Sequence, residues 1–217
     1  VGVLVTGIHY RHPAVLANMA STLDIVSGGR LELGIGAGWN EEESGAYGIA
    51  LGTVKERFDR FEEACEVLTG LLSQETTSFD GSFYRLTEAR NEPKGPQRPH
   101  PPICIGGNGE KRTLRITARY ADHWNFVGGP PEEFARKRDV LAAHCADVGR
   151  DPKDIMLSAH VRLNPERDYD RVIDEAAALG AEGLDMAIVY LPPPYDPAVL
   201  EPLAERIRES GLASKDS

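Results

Sequence analysis

Three glycines behind a short apolar run, in the sequence LELGIGAGWNEEE from Leu31 to Glu43, are the first residues that suggest binding chemistry. A dinucleotide-binding turn needs glycine at its first, third and sixth positions, but counting from Gly34 gives Gly36 and then Trp39. The acidic residue expected about 20 residues further on is replaced by a charged helical segment. The pattern disfavours a Rossmann site and predicts a strand end whose backbone approaches a planar ligand closely, because glycine has no Cβ.

A second glycine-rich turn, within ICIGGNGEKRTLR, predicts a phosphate-binding site. The pattern is that of a strand, a tight turn and the start of a helix, so free backbone N–H groups and the positive end of the helix dipole converge on one point. Lys111 and Arg112 either add positive charge there or point to solvent. The residues predicted to hold the phosphate are Gly106, Gly107, Asn108 and Gly109.

Glutamates at the end of the first stretch are candidate acid/base groups. The run Glu41–Glu43 is more typical of the solvated first turn of a helix, which carboxylates stabilise, than of a catalytic group. Asn40, directly before it, is either a contact to a bound ring or the N-cap of that helix.

Histidines supply further candidates. His9 and His12 have i,i+3 spacing, but they flank a loop and Pro13, so no metal site is predicted. His9 follows the first predicted strand and His160 lies near the end of a later one. Because strand ends and βα loops carry function in barrels, both are candidate pocket residues, and so is Asn125 in the strand HWNFV.

Composition limits the class of protein. A chain of 217 residues that is 41% hydrophobic can bury one sizeable core, and no linker divides it, so one domain over residues 1–217 is predicted. The net charge of -10 argues against nucleic acid or an anionic membrane as the main partner. Cys65, Cys104 and Cys145 form no metal or disulfide motif. Neither a signal peptide nor an apolar run of about 18 residues is visible, so a soluble cytoplasmic protein is predicted.

The elements that position these residues alternate between strands and helices. Six strand–helix units are predicted, and one hairpin is inserted around Asp80–Gly81. Repeated βα units predict a parallel sheet covered by helices, either doubly wound or a (β/α)8 barrel. Barrels usually need about 250 residues, and the chain opens directly in a β-branched run, so we expect two further units to precede Val1.

The motifs as an ordered set resemble the luciferase-like monooxygenase family, and most of all its subgroup of oxidoreductases that depend on coenzyme F420. The resemblance is strongest from Val1 to Asn125. It is carried in order by VLVTGIHYRHPAVLANMASTLDIVSGGRLELGIGAGWNEEE, YGI, ERFDRFEEACEVL, FDGSFYRL and RPHPPICIGGNGEKRTLRITARYADHWN. It implies a (β/α)8 TIM barrel, here with six of the eight units plus the hairpin, and a flavin or deazaflavin across the C-terminal ends of the strands.

The resemblance also implies roles for particular residues. A non-prolyl cis peptide behind the ring is expected at Val3–Leu4, and Thr6 is expected at the pocket mouth. No proton donor is named, because family members place such residues at strand ends that would precede Val1. The stretch Gly34–Asn40 would line the ring, with contacts from Gly36, Ala37, Gly38 and Asn40.

Three functions follow from the resemblance. The leading one is an oxidoreductase that transfers a hydride between C5 of F420 and a small organic substrate. The alternative is an FMN-dependent monooxygenase that needs a separate flavin reductase, and a third is a cofactor-binding protein without turnover. A glycosidase on the same fold is disfavoured because the strand ends lack a carboxylate pair.

The resemblance implies a homodimer and leaves the substrate unspecified. For the isolated 217-residue chain we expect poor solubility, because an open six-stranded sheet exposes two apolar edges.

Overall fold

The computed structural model describes residues 1–212 as an α/β fold. Its strands are β1 (Thr6–Gly7), β2 (Leu33–Gly36), β3 (Thr77–Asp80), β4 (Arg85–Ala89), β5 (Ile103–Gly106), β6 (His123–Phe126), β7 (Met156–Arg162) and β8 (Met186–Tyr190). Its helices are α1 (Pro13–Ser27), α2 (Glu41–Ala46), α3 (Val54–Ser73), α4 (Thr113–Tyr120), α5 (Pro131–Asp147), α6 (Tyr169–Ala181) and α7 (Leu200–Ser210).

Six strands form one parallel sheet in the order β1-β2-β5-β6-β7-β8, and each is followed by at least one helix. Strands β3 and β4 form a separate antiparallel pair. The predicted six strand–helix units with one hairpin insertion are therefore confirmed. Because all six strands run in one direction, their carboxyl ends meet on one face, where barrel sites lie.

The first strand is shorter than the run VGVLVTG predicts. Only Thr6 and Gly7 form a regular ladder with β2, and Gly2 makes an isolated bridge to Glu32. Between them the Val3 carbonyl points at Gly34, and a Cβ on that glycine would lie 1.9 Å from the carbonyl oxygen. The apolar pattern predicts a strand, but it does not show which of its residues pair, and Val1 and Val3 are in fact exposed.

Side chains cap the first turn of two helices. His12 is the N-cap of α1, and its Nδ1 accepts a hydrogen bond from the Ala14 amide at 3.1 Å. Thr53 and Glu56 form a reciprocal capping box at the start of α3. His12 therefore has a structural role, which separates it from His9.

The core divides into two clusters. The first lies between β1, β2 and β5, the helices α1 and α3, and the hairpin. The second lies under α5, α6 and α7 and centres on Trp124, Phe126 and Phe134, whose ring centroids are 5.6 to 5.9 Å apart. The Trp124 indole also donates to the Gly107 carbonyl at 2.9 Å, so the second cluster anchors the glycine-rich turn after β5.

Two helix carboxylates, one buried and one partly buried, hold connecting segments of the chain in place. Asp24 on α1 accepts from the side-chain amide of Gln97 at 2.7 Å, which holds the proline-rich segment before β5. Glu63 on α3 accepts from the amides at the β3–β4 turn at 2.8 to 3.1 Å. Across residues 1–212, no helix combines the length and apolar character needed to cross a membrane.

Candidate functional site

A cavity of about 610 Å³ opens at the carboxyl ends of the sheet strands. That volume lies in the usual range for small-molecule and cofactor sites, roughly 300–1,000 Å³. All six strands of the parallel sheet contribute residues to it, so the whole sheet converges on one space. The lining consists of Leu4, Val5, Gly7, His9, Tyr10, Gly36, Ala37, Gly38, Trp39, Asn40, Glu43, Phe58, Phe61, Gly106, Gly107, Thr113, Asn125, Val127, His160, Arg162 and Tyr190.

The glycines of the first stretch are required by contacts within the protein. A Cβ on Gly34 would meet the Val3 carbonyl, and one on Gly36 would lie 3.0 Å from a Val5 methyl carbon. Gly38 has a positive φ of 87°, and a Cβ there would lie 2.5 Å from Nδ1 of His9. Gly36 and Gly38 line the cavity, whereas Gly34 lies behind it.

The non-prolyl cis peptide is Leu4–Val5, one residue later than the predicted Val3–Leu4. The sequence carries no signal that distinguishes these positions, because Val3, Leu4 and Val5 are all apolar. In the structure Leu4 and Val5 line the cavity, while Val3 and Thr6 are outside its lining.

His9 is held against the cavity wall by α2. Its Nε2 lies 3.1 Å from the Ser44 hydroxyl, while its Nδ1 is buried without a partner among the described residues. Burial lowers the pKa of His9, and the nearby Arg60 guanidinium adds to the effect. Nδ1 packs against two glycines, since it would lie 2.8 Å from a Cβ on Gly7 and 2.5 Å from one on Gly38.

Tyr10 and Glu43 form a second polar group in the lining. The Tyr10 hydroxyl donates to Glu43 Oε2 at 2.5 Å, and this bond raises the pKa of the phenol. The glutamate run forms the first turn of α2, as its pattern indicates, yet Glu43 also lines the cavity. Asn40 is the N-cap of α2, where its Oδ1 accepts from the Glu43 amide at 3.0 Å, and the residue also lines the cavity.

The ends of β7 and β8 supply another part of the lining. The rings of His160 and Tyr190 are 4.5 Å apart, and the Arg162 guanidinium lies 5.5 Å from the Tyr190 ring centroid. Burial lowers the pKa of His160, and Arg162 lowers it further. Among the described residues no carboxylate lies within 4.0 Å of the Arg162 guanidinium, so its charge is available to a ligand.

The glycine-rich turn after β5 divides into two parts. Gly106 and Gly107 line the cavity, but Asn108 and Gly109 are outside the lining. The Asn108 side chain is used within the protein: its Oδ1 accepts from the Val127 amide at 3.0 Å, which ties this turn to the loop after β6. Arg112 pairs with Asp59 at 2.7 Å.

Backbone donors nevertheless remain in that turn. Within residues 1–212, the amides of Asn108, Gly109 and Glu110 donate to no protein acceptor, and α4 begins shortly afterwards at Thr113. Free amides at a helix start are the groups that bind phosphate.

Asn125 lines the cavity although it is almost fully buried. Its Nδ2 donates to the Ser158 hydroxyl at 2.8 Å. His123 contacts Ser158 on one side and Glu32 on the other, at the opposite end of the strands.

Sequence reasoning missed several lining residues. Trp39 is 80% exposed at the cavity edge, and Tyr10, Arg162 and Tyr190 contribute polar or charged groups. Arg162 and Tyr190 are the last residues of β7 and β8. The rule that strand ends carry function in parallel sheets could therefore have identified them from the sequence.

Fold and site together define a class: parallel α/β proteins of the TIM-barrel type with a cavity at the carboxyl ends of their strands. The chain belongs to the luciferase-like monooxygenase family, whose model matches residues 1–211. The resemblance predicted from the sequence is thereby confirmed.

Two curated relatives illustrate the range of the family. The chain is 32% identical over 205 residues to the FMNH2-dependent dimethylsulfone monooxygenase of Pseudomonas putida, covering 94% of this chain and 52% of the relative. It is 31% identical over 192 residues to the phthiodiolone/phenolphthiodiolone dimycocerosates ketoreductase of Mycobacterium bovis, covering 84% and 49%. The chain thus spans about half the length of these relatives.

Solved structures share the fold. An F420-dependent secondary alcohol dehydrogenase in complex with an F420-acetone adduct superposes with a TM-score of 0.76 at 18% identity, covering 88% of this chain and 73% of that one. A long-chain alkane monooxygenase superposes with a TM-score of 0.80 at 15% identity, covering 99% and 70%.

Proposed function

We propose that the cavity binds a flavin-type cofactor, and that the protein is an oxidoreductase that transfers a hydride between coenzyme F420 and a small organic substrate. The observation that carries the proposal is the lining, which combines backbone and small side chains at Gly36, Ala37 and Gly106 with the titratable side chains His9 and His160. When bound, the deazaflavin supplies or accepts the hydride, and the protein provides orientation and proton management.

Two parts of the chain would hold the cofactor. The lining backbone at Gly36–Gly38 and at Gly106–Gly107 leaves room for a planar ring, since glycine presents no side chain. The free amides of Asn108 and Gly109 would bind its phosphate near the start of α4.

The titratable side chains would manage the proton at the substrate. Burial keeps His9 and His160 neutral near pH 7, because it lowers the pKa of both imidazoles. A neutral imidazole accepts a proton from a substrate alcohol or, after protonation, returns it to a carbonyl oxygen. The Ser44 hydroxyl, 3.1 Å from Nε2, holds the orientation of the His9 ring.

An FMN-dependent monooxygenase is the second candidate, favoured by the 32% identity to the FMNH2-dependent relative. The same cavity would then hold reduced FMN, and a separate reductase would be required as a partner. The ketoreductase relative, at 31% identity, supports the hydride-transfer candidate instead.

Parallel titration of the complete protein with F420 and FMN, followed by fluorescence, distinguishes the candidates. We expect micromolar or tighter binding of F420 and weak binding of FMN. Preference for FMN, with oxygen incorporated into product when a reductase is supplied, would replace the first candidate by the second. Absence of binding to either cofactor would overturn both.

A pair of glycine variants assigns any binding to this cavity. A Cβ at Gly106 would meet nothing closer than Val5 methyl carbons at 3.4 Å, so Gly106→Ala is expected to fold while narrowing the cavity and weakening binding about tenfold. Gly45→Ala, on α2 with no atom within 4 Å of its new Cβ, should bind as the wild type does. Equal affinities would place the cofactor elsewhere.

A further inference from the structure

A series of hydrogen-bonded polar side chains starts at the partly exposed Glu32, crosses the interior of the sheet and ends at the cavity. Glu32 lies just before β2, and its carboxylate contacts Nδ1 of His123 at the start of β6. His123 Nε2 lies 2.6 Å from the Ser158 hydroxyl oxygen, which accepts from Asn125 Nδ2 at 2.8 Å. His123, Ser158 and Asn125 are each at most 2% exposed.

The observed hydrogen bonds give this series of side chains one direction. Asn125 donates from Nδ2 to the Ser158 oxygen, so the Ser158 hydroxyl proton is free to point at Nε2 of His123. Nδ1 of His123 then carries the ring proton and donates it to the Glu32 carboxylate, which can only accept. The amide oxygen of Asn125 remains for the cavity.

Two other uses of these residues fit the geometry less well. The order carboxylate, imidazole, hydroxyl is that of a hydrolytic triad, but Ser158 has no exposed surface and is not part of the cavity lining. Cys104 brings a third ligand atom within 4.8 Å of those of Glu32 and His123, yet both ring nitrogens of His123 are already engaged.

We propose that Glu32, His123 and Ser158 are positioning residues that fix the orientation of Asn125, so that its Oδ1 presents a hydrogen-bond acceptor to an N–H or O–H group of the bound ligand. Within residues 1–212 no protein donor reaches this oxygen. The choice of ligand used below rests on the proposed function; the orientation of the amide does not.

Nuclear magnetic resonance of the side-chain amide of Asn125 tests the orientation without any cofactor. Glu32→Ala removes the acceptor for His123 and does not touch Asn125. If the four side chains are coupled through their hydrogen bonds, this variant shifts or broadens the Asn125 side-chain NH2 resonances. Unchanged resonances in Glu32→Ala, in a protein with the wild-type backbone spectrum, would overturn the proposal.

A matched pair of serine variants tests the effect on binding. Ser158→Ala frees the Asn125 amide, and we expect the dissociation constant of the cofactor that the wild type binds, F420 or FMN, to rise about tenfold. Ser21→Ala is the control, because Ser21 also accepts from a buried asparagine, Asn91, at 2.8 Å, but Asn91, unlike Asn125, is not part of the cavity lining.

The outcomes separate the two proposals. If the wild type binds neither cofactor, the proposed function fails, while the resonance experiment still decides the orientation of Asn125. If the wild type binds and Ser158→Ala binds as tightly as Ser21→Ala, the positioning role is overturned. A cofactor absorption spectrum that changes in Ser158→Ala but not in Ser21→Ala would support it, because a purely structural loss would not alter the contact to the ring.

Discussion

At the scale of single residues, the cavity lining contains two histidines that burial keeps neutral and an arginine, Arg162, that forms no ion pair with a carboxylate of the described residues. His9 and His160 both have lowered pKa values, with burial as the main cause. Arg162 adds to the effect at His160 and lies over the Tyr190 ring. Each of these properties can be tested by one substitution.

His160 is expected to make stability depend on pH. Its pKa is lowered in the folded state, so the unfolded chain binds the proton more readily. The contribution is fully present above the unfolded pKa near 6.5 and is lost as pH falls from there toward the folded pKa. The free energy of unfolding of His160→Gln should therefore fall less between pH 7.5 and about 5.5 than that of the wild type.

Urea unfolding at several pH values measures this difference. His144→Gln is the control, since His144 lies on α5 outside the cavity lining. If the curves of His160→Gln and the wild type run parallel, the imidazole is not held neutral by its surroundings.

Arg162 is expected to favour an anionic group in the cavity. We predict that Arg162→Gln weakens binding of acetate, used as a small anionic probe, about tenfold, the effect of one lost charge-assisted hydrogen bond. Binding of acetamide, which has a similar shape and no charge, should change little. Arg85→Gln is a suitable control, because Arg85 pairs with Asp80 on the hairpin.

Calorimetric titration of the two probes gives the comparison directly. A variant that loses affinity for both probes equally would indicate altered shape, and one that loses neither would show that Arg162 does not contact ligand.

At the scale of elements, the contact between the first segment and β2 positions the cavity. The Val3 carbonyl and the Val5 side chain occupy the space that side chains would otherwise take at Gly34 and Gly36. This close approach brings Leu4 and Val5 into the lining.

Gly34→Ala should disrupt that contact. The new Cβ would lie 1.9 Å from a backbone oxygen, and backbone adjusts less readily than a flexible side chain, so we expect destabilisation of about 1–3 kcal/mol or more. Gly45→Ala has open space in a helix and should instead stabilise by about 0.5–1 kcal/mol. Chemical denaturation of both variants tests the prediction, and equal effects of the two would contradict it.

At the scale of the whole molecule, α4 joins the two core clusters. Ile116 packs in the first cluster, while Leu114 and Ala118 pack in the second. Because one short helix contributes to both, we expect the described fold to open as one cooperative unit.

The buried cysteines report on that cooperativity. Cys65 lies in the first cluster and Cys145 in the second, and burial raises the pKa of both thiols. A thiol reagent should modify them at the same slow rate, set by global unfolding, since only an exposed thiolate reacts. Mass spectrometry of each labelled peptide over time measures both rates, and clearly different rates would show that the clusters open separately.

Much of the architecture followed from the sequence alone. Alternating strand and helix patterns, Pro13 at a helix start and the Asp80–Gly81 turn depend on local interactions, so they can be read from neighbouring residues. The family resemblance likewise depends on ordered motifs. The N-terminal contact does not, because the Val3 carbonyl meets Gly34 of strand β2, about thirty residues away along the chain.

The residues of the cavity likewise divide into those that the sequence predicted and those that only the tertiary structure revealed. The sequence determined that glycine-rich strand ends, Asn40, His9, Asn125 and His160 belong to one face, because parallel strands share their carboxyl ends. Only the tertiary structure decided that Asn108 is used to join two loops and that Arg162 enters the lining. It also decided that Glu32, His123 and Ser158 reach Asn125 through the interior. Such contacts join residues far apart in the chain, and side-chain direction at each strand position is fixed by packing rather than by local sequence.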